Sequence, residues 1–435
     1  MTISSSLNAS VSSLSANATR LSTISGNIAN SSTFGYKRTL TEFSSLVLQN
    51  ESEVYSAGGV RTDTYKNVTE LAAPLNTSSN TDISVIGRGM LPVTTITGID
   101  IPAEQREMNL VTTGAFNQAS DGTLRTESDL VLLGWPTDAT GDTGAVSRTS
   151  GADLEPVNLG AFELDSSATT LIEAPINLPA EATSAGEDGT AYSVPVEYYD
   201  NLGRTHTLTL QFTPVVPNVG SSNEWDLEIF DSSAGAPNTA IGTLDLTFST
   251  TAQNPGQLAT VTAANGAAYD AATGLVAITL PHGNVDIFIG QIGAIGGVTQ
   301  NAGAFLPDNT SQDGAPIGNL ESVEVDDNGF VQGFYSTGFR RPLYKIPVVD
   351  VPNPNGLVSE NGQAFSISRS SGDLYLWDSG TGPAGVTAGK TLLESTTDIA
   401  SELTDLIETQ RAYSSSAKIV QTVDEMLQET TNLKR

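Results

Sequence analysis

The segment Ile399-Ala-Ser-Glu-Leu403-Thr-Asp-Leu406-Ile-Glu-Thr-Gln410-Arg-Ala-Tyr413-Ser-Ser-Ser-Ala417-Lys-Ile-Val420-Gln-Thr-Val-Asp424-Glu-Met-Leu427 decides how the chain is read. Ile399, Leu403, Leu406, Tyr413, Ala417, Val420 and Leu427 fall at alternating steps of four and three, with Gln410 and Asp424 in the remaining slots. That is a seam along one face of a helix. Ser395, Thr396, Thr397 and Asp398 are cap candidates. The early acids Asp398, Glu402 and Asp405, with Lys434 and Arg435 last, complement the dipole of a helix starting near residue 399. The opposite end repeats the alternation through Ile3, Leu7, Val11, Leu14, Ala18, Leu21 and Ile28, with Ser25 in the polar slot. Two seams of one period can pair. The N-terminal helix is weak alone, because nine Ser, three Asn and two Thr between residues 3 and 29 compete for backbone hydrogen bonds. Its order has to come from burying the seam against a partner.

Between the ends the period changes to two, in short runs separated by Gly, Asn, Asp and Pro. Asp82-Ile-Ser-Val-Ile86, Thr207-Leu-Thr-Leu-Gln-Phe212, Thr243-Leu-Asp-Leu-Thr-Phe248 and Val323-Glu-Val325 are examples, and antiparallel sheets follow. The Pro-bearing stretch 174–179 and the Gly-rich stretch 290–297 read as two crossings of one domain border, with hinges near 175 and 293. The expected fold class is mixed α and β: paired, coiled-coil-like terminal α-helices plus two nested antiparallel β domains. The expected division is a helical domain (1–30 with 395–435), a connector (31–70 with 361–394), a middle β domain (71–165 with 301–360) and an inserted outer β domain (166–300). Residues 161 to 300 hold one basic residue, Arg204, against fifteen acids, so the insert should face water. No internal repeat stands out.

Composition narrows the function classes. The 435 residues suit roughly two or three domains. A formal charge of -30, from 19 Lys and Arg against 49 Asp and Glu, repels phosphate backbones and anionic headgroups, so no nucleic-acid partner is expected. There is no cysteine, which removes disulfides and thiolate metal sites. No run approaches the ~20 apolar residues of a membrane span, and Met1 to Ser15 lacks the pattern of a cleaved secretory signal, so if the chain leaves the cell it does so by a route that cleaves nothing. Asp326-Asp-Asn-Gly329 reads as a hairpin turn in preference to a calcium loop, because the alternate ligand spacing and distal Glu are absent. His206 and His282 sit in separate strand-like contexts, which favours packing over metal ligation. No nucleophile-elbow, phosphate-loop, dinucleotide or zinc-protease motif occurs, so neither an enzyme nor a cofactor is expected. Composition leaves open whether the seams close a monomer or build a polymer.

The run Leu21-Ser-Thr-Ile-Ser-Gly-Asn-Ile-Ala-Asn30 followed by Thr33-Phe-Gly-Tyr-Lys37 resembles the N-terminal signature of flagellar rod and hook proteins. Residues 401–433, with Gln410-Arg411-Ala-Tyr413 inside them, resemble the C-terminal helix of that family. Further inward, Tyr199-Asp-Asn-Leu-Gly-Arg-Thr-His-Thr-Leu-Thr209 is similar to a strand pair of the hook branch's outer domain, and Asn353-Pro-Asn-Gly-Leu357 with Gly362, Phe365, Ser371 and Gly372 to the return leg of its middle domain. The likeness covers most of the chain and is strongest at 20–40 and 394–433. Gly26 stands where the family commonly has Asn, and Ser395-Thr-Thr-Asp398 replaces Ser-Asn-Val-Asp.

The resemblance implies a structural subunit that leaves the cell through the flagellar type III export apparatus. It implies a homopolymer forming an extracellular curved tube that works as a universal joint, lined by the terminal helices. The hook cap, the rod and the hook-filament junction proteins are its implied partners. Its polymerisation seam would be Leu7, Val11, Leu14, Ala18, Leu21, Ile28, Ile399, Leu403, Leu406, Tyr413, Ala417, Val420 and Leu427, and its motif residues Asn27, Asn30, Gly35, Tyr36, Lys37, Gln410, Arg411 and Tyr413. Another axial protein such as a distal rod subunit, or a secreted β-rich adhesin, is the alternative.

Overall fold

A computed structural model describes residues 3–46, 59–235, 239–307 and 310–432. The side chain of Ile3, residues 47–58 of the expected connector, and the basic end at Lys434 and Arg435 lie outside the described residues.

Two helices close the chain, α1 (Ile3–Ala29) and α2 (Ile399–Asn432). Of the four cap candidates Asp398 starts α2, its Oδ1 accepting from Ala400 N at 2.9 Å. Ser13 faces Ser416, Arg20 faces Asp405 and Asn27 faces Glu402, so the helices run antiparallel. Two strands, β1 (Thr39–Leu46) and β2 (Gly59–Lys66), pair antiparallel from Thr39 opposite Lys66 to Leu46 opposite Gly59. Val60 N donates to Ser12 Oγ at 3.2 Å and the Thr23 and Thr41 hydroxyls meet at 2.9 Å, laying this ribbon along α1. The segment expected to be a polar connector is therefore, in its described part, a paired hairpin. Cross-strand pairing satisfies its backbone groups within the ladder, where a free linker would leave them to water.

The chain divides into two compact units, the first made of Met1–Ala161, Ser322–Gly333 and Arg340–Arg435, the second of Phe162–Glu321 and Phe334–Phe339. Beyond the helices and the hairpin, the first unit carries strands Leu91–Thr95, Asn109–Val111 and Leu130–Pro136, with Leu91–Thr95 paired antiparallel to both others. Its core gathers Met90, Leu110, Leu133, Trp135, Val349, Phe365 and Leu376. The Asp326–Gly329 turn is of hairpin type: Asp326 O accepts from Gly329 N at 3.0 Å and Asp326 Oδ1 from Phe330 N at 2.8 Å.

The second unit holds a five-stranded antiparallel sheet, Tyr192–Tyr199, Thr205–Pro214, Glu224–Asp231, Gly242–Phe248 and Leu258–Ala264 in that order. Alternate residues Leu208, Leu210 and Phe212 pack with Trp225, Leu227, Ile229, Leu244 and Leu246 in one core. Ile172, Ile176, Leu178, Ile278 and Ile287 from further strands complete it. Two pairings here are parallel, Leu171–Glu173 with Asp286–Phe288 and Asn177–Pro179 with Thr299–Asn301.

The stretches at 174–179 and 290–297 lie inside this unit, not at its border. Ala174, Ile176 and Leu178 are buried, as are Ile289 and Val298 flanking the glycines. Gly297 has φ +74, and a Cβ there would collide with the Ile289 carbonyl oxygen, so glycine serves close backbone approach instead of hinging. The unit also extends past residue 300, since Leu306 and Pro307 pair with Asn177 and Ile176, and Ser311 and Gln312 with Glu173 and Ile172.

Candidate functional site

The face that α1 turns to α2 is built mostly from small and polar side chains. Ser10, Asn17 and Ile24, seven residues apart, are buried on α1 with Ala16 and Asn27; Glu402, Thr409, Ser416 and Val423, also seven apart, are buried on α2. The seams expected from sequence stand one residue later on both helices. One residue is about 100° of rotation, so the seams do not face each other within the chain. Val11, Ile399, Leu403, Tyr413 and Leu427 are 38–50% exposed. Ala18 is exposed as well, while Leu7, Leu14, Leu21, Ile28, Leu406, Ala417 and Val420 are half-buried. The expectation that the two seams bury each other is corrected on this point. The Ser13 and Ser416 hydroxyls meet at 3.1 Å, a separation that larger side chains would prevent, and hydrogen bonds with ion pairs fix the register where apolar contacts were expected.

The motif residues gather where α1 ends and α2 begins. Asn27 is buried; its Nδ2 donates to Thr39 O at 2.9 Å and to Glu402 Oε1 at 3.0 Å, and its Oδ1 accepts from Thr39 N at 2.9 Å and Tyr36 Oη at 3.1 Å. Arg38 Nε also donates to Glu402 Oε1, while Asp405 accepts from Arg38 Nη2 at 3.2 Å and Arg20 Nη2 at 3.1 Å. Two cations and two anions thus lock the junction. Glu402 is fully buried and its Oε2 has no hydrogen-bond partner, so its charge is neutralised through one oxygen. Arg20, Arg38, Glu402 and Asp405, which make this junction, were not singled out as site residues from the sequence. One signal was present, since Arg20 is the sole charge in residues 3–29.

Asn30 Nδ2 donates to Gly26 O at 2.9 Å and closes the end of α1. A Cβ at Gly26 would meet nothing within 4 Å, so glycine at that departure answers no packing need. Gly35 has φ +71 and a Cβ there would come within 2.9 Å of Thr113 Cγ2; its N donates to Leu393 O at 2.8 Å. Lys66 Nζ lies 4.5 Å over the Tyr36 ring. Lys37 is 3% exposed and donates to Glu70 O at 2.6 Å. Burial pushes its ammonium down to about 8, against the opposing pull of the Glu70 charge. Gln410 and Arg411, by contrast, are exposed and line a surface groove on α2 with Ile407, Ser414 and Lys418.

The two histidines do not stay in separate surroundings. Their rings stack at 5.1 Å between centroids and 17° between planes, and His206 Nε2 lies 3.3 Å from Asp200 Oδ2. Burial opposes ionisation of Asp200, yet hydrogen bonds from Arg204, Leu202 and His206 hold its carboxyl below the usual range. No helix is long and apolar enough to cross a membrane among the described residues.

Three family models match the chain: "Flagella basal body rod protein" over residues 7–37, "Flagellar basal body protein FlaE D2 domain" over 163–315 and "Flagellar basal body rod FlgEFG protein C-terminal" over 389–433. The flagellar hook protein FlgE of Brucella suis biovar 1 is 32% identical over 432 residues, 98% of each chain. That of Rhizobium meliloti is 32% identical over 438 residues, 100% of each. That of Salmonella typhimurium is 26% identical over 441 residues, 99% of this chain and 100% of its own. Among solved structures, Helicobacter pylori flagellar hook protein FlgE2 aligns with a TM-score of 0.47 at 12% identity, covering 74% of this chain and 99% of its own.

Proposed function

The chain belongs to the flagellar hook protein family, and from that premise we propose that the apolar seams of α1 and α2 are the surface through which it polymerises. It is a structural subunit of the flagellar hook, a component that assembles in the flagellum. The proteins it matches over full length are hook proteins and not enzymes, and neither a distal rod subunit nor an adhesin is favoured.

One observation carries the proposal. Within the chain the helices use a polar register for each other, while Val11, Ile399, Leu403 and Tyr413 remain substantially exposed one step round. Further copies of the chain would cover that stripe, burying apolar surface worth about 25 cal/mol per Å². The helical pairs then line a tube. The second unit, with Arg204 as its one Lys or Arg between residues 162 and 321, would stand outward in water. The same reading places the tube outside the cell as a universal joint, supplied through the type III export apparatus and bounded by the hook cap, the rod and the hook-filament junction proteins.

The test is electron microscopy of purified protein after salt-induced assembly. Wild type forms tubes; Val11→Asp combined with Leu403→Asp leaves circular dichroism unchanged and gives dispersed particles. Normal tubes from the double variant would remove the seam from the interface.

A further inference from the structure

The structure assigns the second unit a cation site that the hook function does not call for: we propose that Asp200, His206 and His282 bind one zinc-class divalent ion. The chain has two histidines in 435 residues, and the fold brings both to one carboxylate. His206 comes from strand Thr205–Pro214, and His282 from the turn between strands Leu275–Leu280 and Gly283–Phe288. One ligating atom from each of the three residues lies within 4.8 Å of the other two.

Asp200 is prepared for the role. Its side chain is fully buried, and Oδ1 accepts from Leu202 N and Arg204 N at 2.9 Å each. That leaves Oδ2 as the ligating oxygen. Two imidazoles and one carboxylate suit Zn²⁺, Co²⁺ or Ni²⁺, and no thiolate is present to select a softer ion. Zinc ligands at about 2.0–2.2 Å require the three donors to draw inward, and His282, at a turn, is placed to do so. A cavity of about 150 Å³ lined by Thr169, Tyr198, Asp200 and His282 leaves space for a water as fourth ligand.

Oδ2 already holds a cation. Arg204 Nε donates to it at 2.7 Å, and Arg204 is the sole Lys or Arg between residues 162 and 321. The Arg204 side chain is 57% exposed, so its guanidinium can swing into water when a metal ion takes the oxygen. Arginine and metal therefore compete, which separates this site from a carboxylate cluster that gathers ions loosely. The bound ion would tie the turn at 200–204 to the turn at 281–283.

The experiment is calorimetric titration of the full chain with zinc chloride, repeated with cobalt chloride to read visible absorption. A single site per chain is expected, with a raised melting temperature and cobalt bands of a four-coordinate nitrogen and oxygen set. His206→Ala and His282→Gln should each weaken that site at least tenfold, while Arg204→Ala should tighten it. Trp225 fluorescence reports that the variants keep the fold of the unit. Absence of a single site, binding indifferent to both histidine substitutions, or loss of binding in Arg204→Ala would each overturn the assignment.

Discussion

Lys37 shows what one buried side chain imposes on the molecule. Its folded-state value of about 8 lies below the ordinary 10.5, so between those values the unfolded chain holds more protons than the folded one. Stability attributable to this group is lowest below pH 8 and rises as pH climbs toward 10.5, by about 3 kcal/mol over the whole window. Urea unfolding at pH 7.5 and pH 10 should show this gain in wild type and not in Lys37→Met, other ionisations cancelling in the comparison. An identical pH slope in the two proteins would remove burial as the cause. Asn27, Tyr36 and Lys37 were legible because they sit in a contiguous motif. Arg38 and Glu402 were not, since the tie that binds them joins residues 364 apart in sequence.

Helical periodicity marked both terminal elements, including the start of α2 at Ile399, and then pointed to the wrong face for their mutual contact. Counting apolar positions finds the stripe with most to gain from burial. It does not find a face of Ser10, Ser13, Asn17, Thr409 and Ser416, where contact depends on small volume and hydrogen bonding. Leu406→Pro tests the integrity of α2 apart from its surface chemistry. Proline at this position removes the bond to the Glu402 carbonyl and clashes with it, costing about 3 kcal/mol or more, beside the residue that anchors the junction. Far-UV circular dichroism should lose helix while strand signal persists, and no polymer should form; Leu406→Ala keeps the helix. Tubes of ordinary form from the proline variant would show that a continuous α2 is dispensable.

At the scale of the whole molecule, nesting was visible in the sequence but its seams were misplaced. Gly and Pro near 175 and 293 looked like punctuation, whereas the unit's edges fall at 161 and 322, the latter inside the strand Ala315–Val325. A deletion of 180–297 would strip partners from Ile172, Ile176 and Leu178 and expose them. A deletion of 162–321, with 334–339 reduced to a tight turn, follows the unit's own edges. Leu164 pairs with Asn319 and Leu320 N donates to Glu163 O at 2.9 Å, so the ends lie side by side and a short Gly-Ser bridge should span them. The shorter cut should give aggregates and the longer one a soluble protein that still forms tubes, of altered curvature. Electron microscopy and sedimentation of both proteins decide it; a soluble product from the shorter cut would place the boundary where the sequence first suggested.

The Ser13 and Ser416 hydroxyls, 3.1 Å apart in a chain without a single thiol, offer a lock with no competing key. Replacing both by Cys and oxidising before assembly would weld each helix to its own chain-mate. If welded subunits grow tubes as readily as reduced ones, every subunit keeps its own pair throughout the polymer. If growth stalls until the weld is reduced, the helices trade chains as the tube forms, and the joint is woven from exchanged ends instead of stacked from closed pieces.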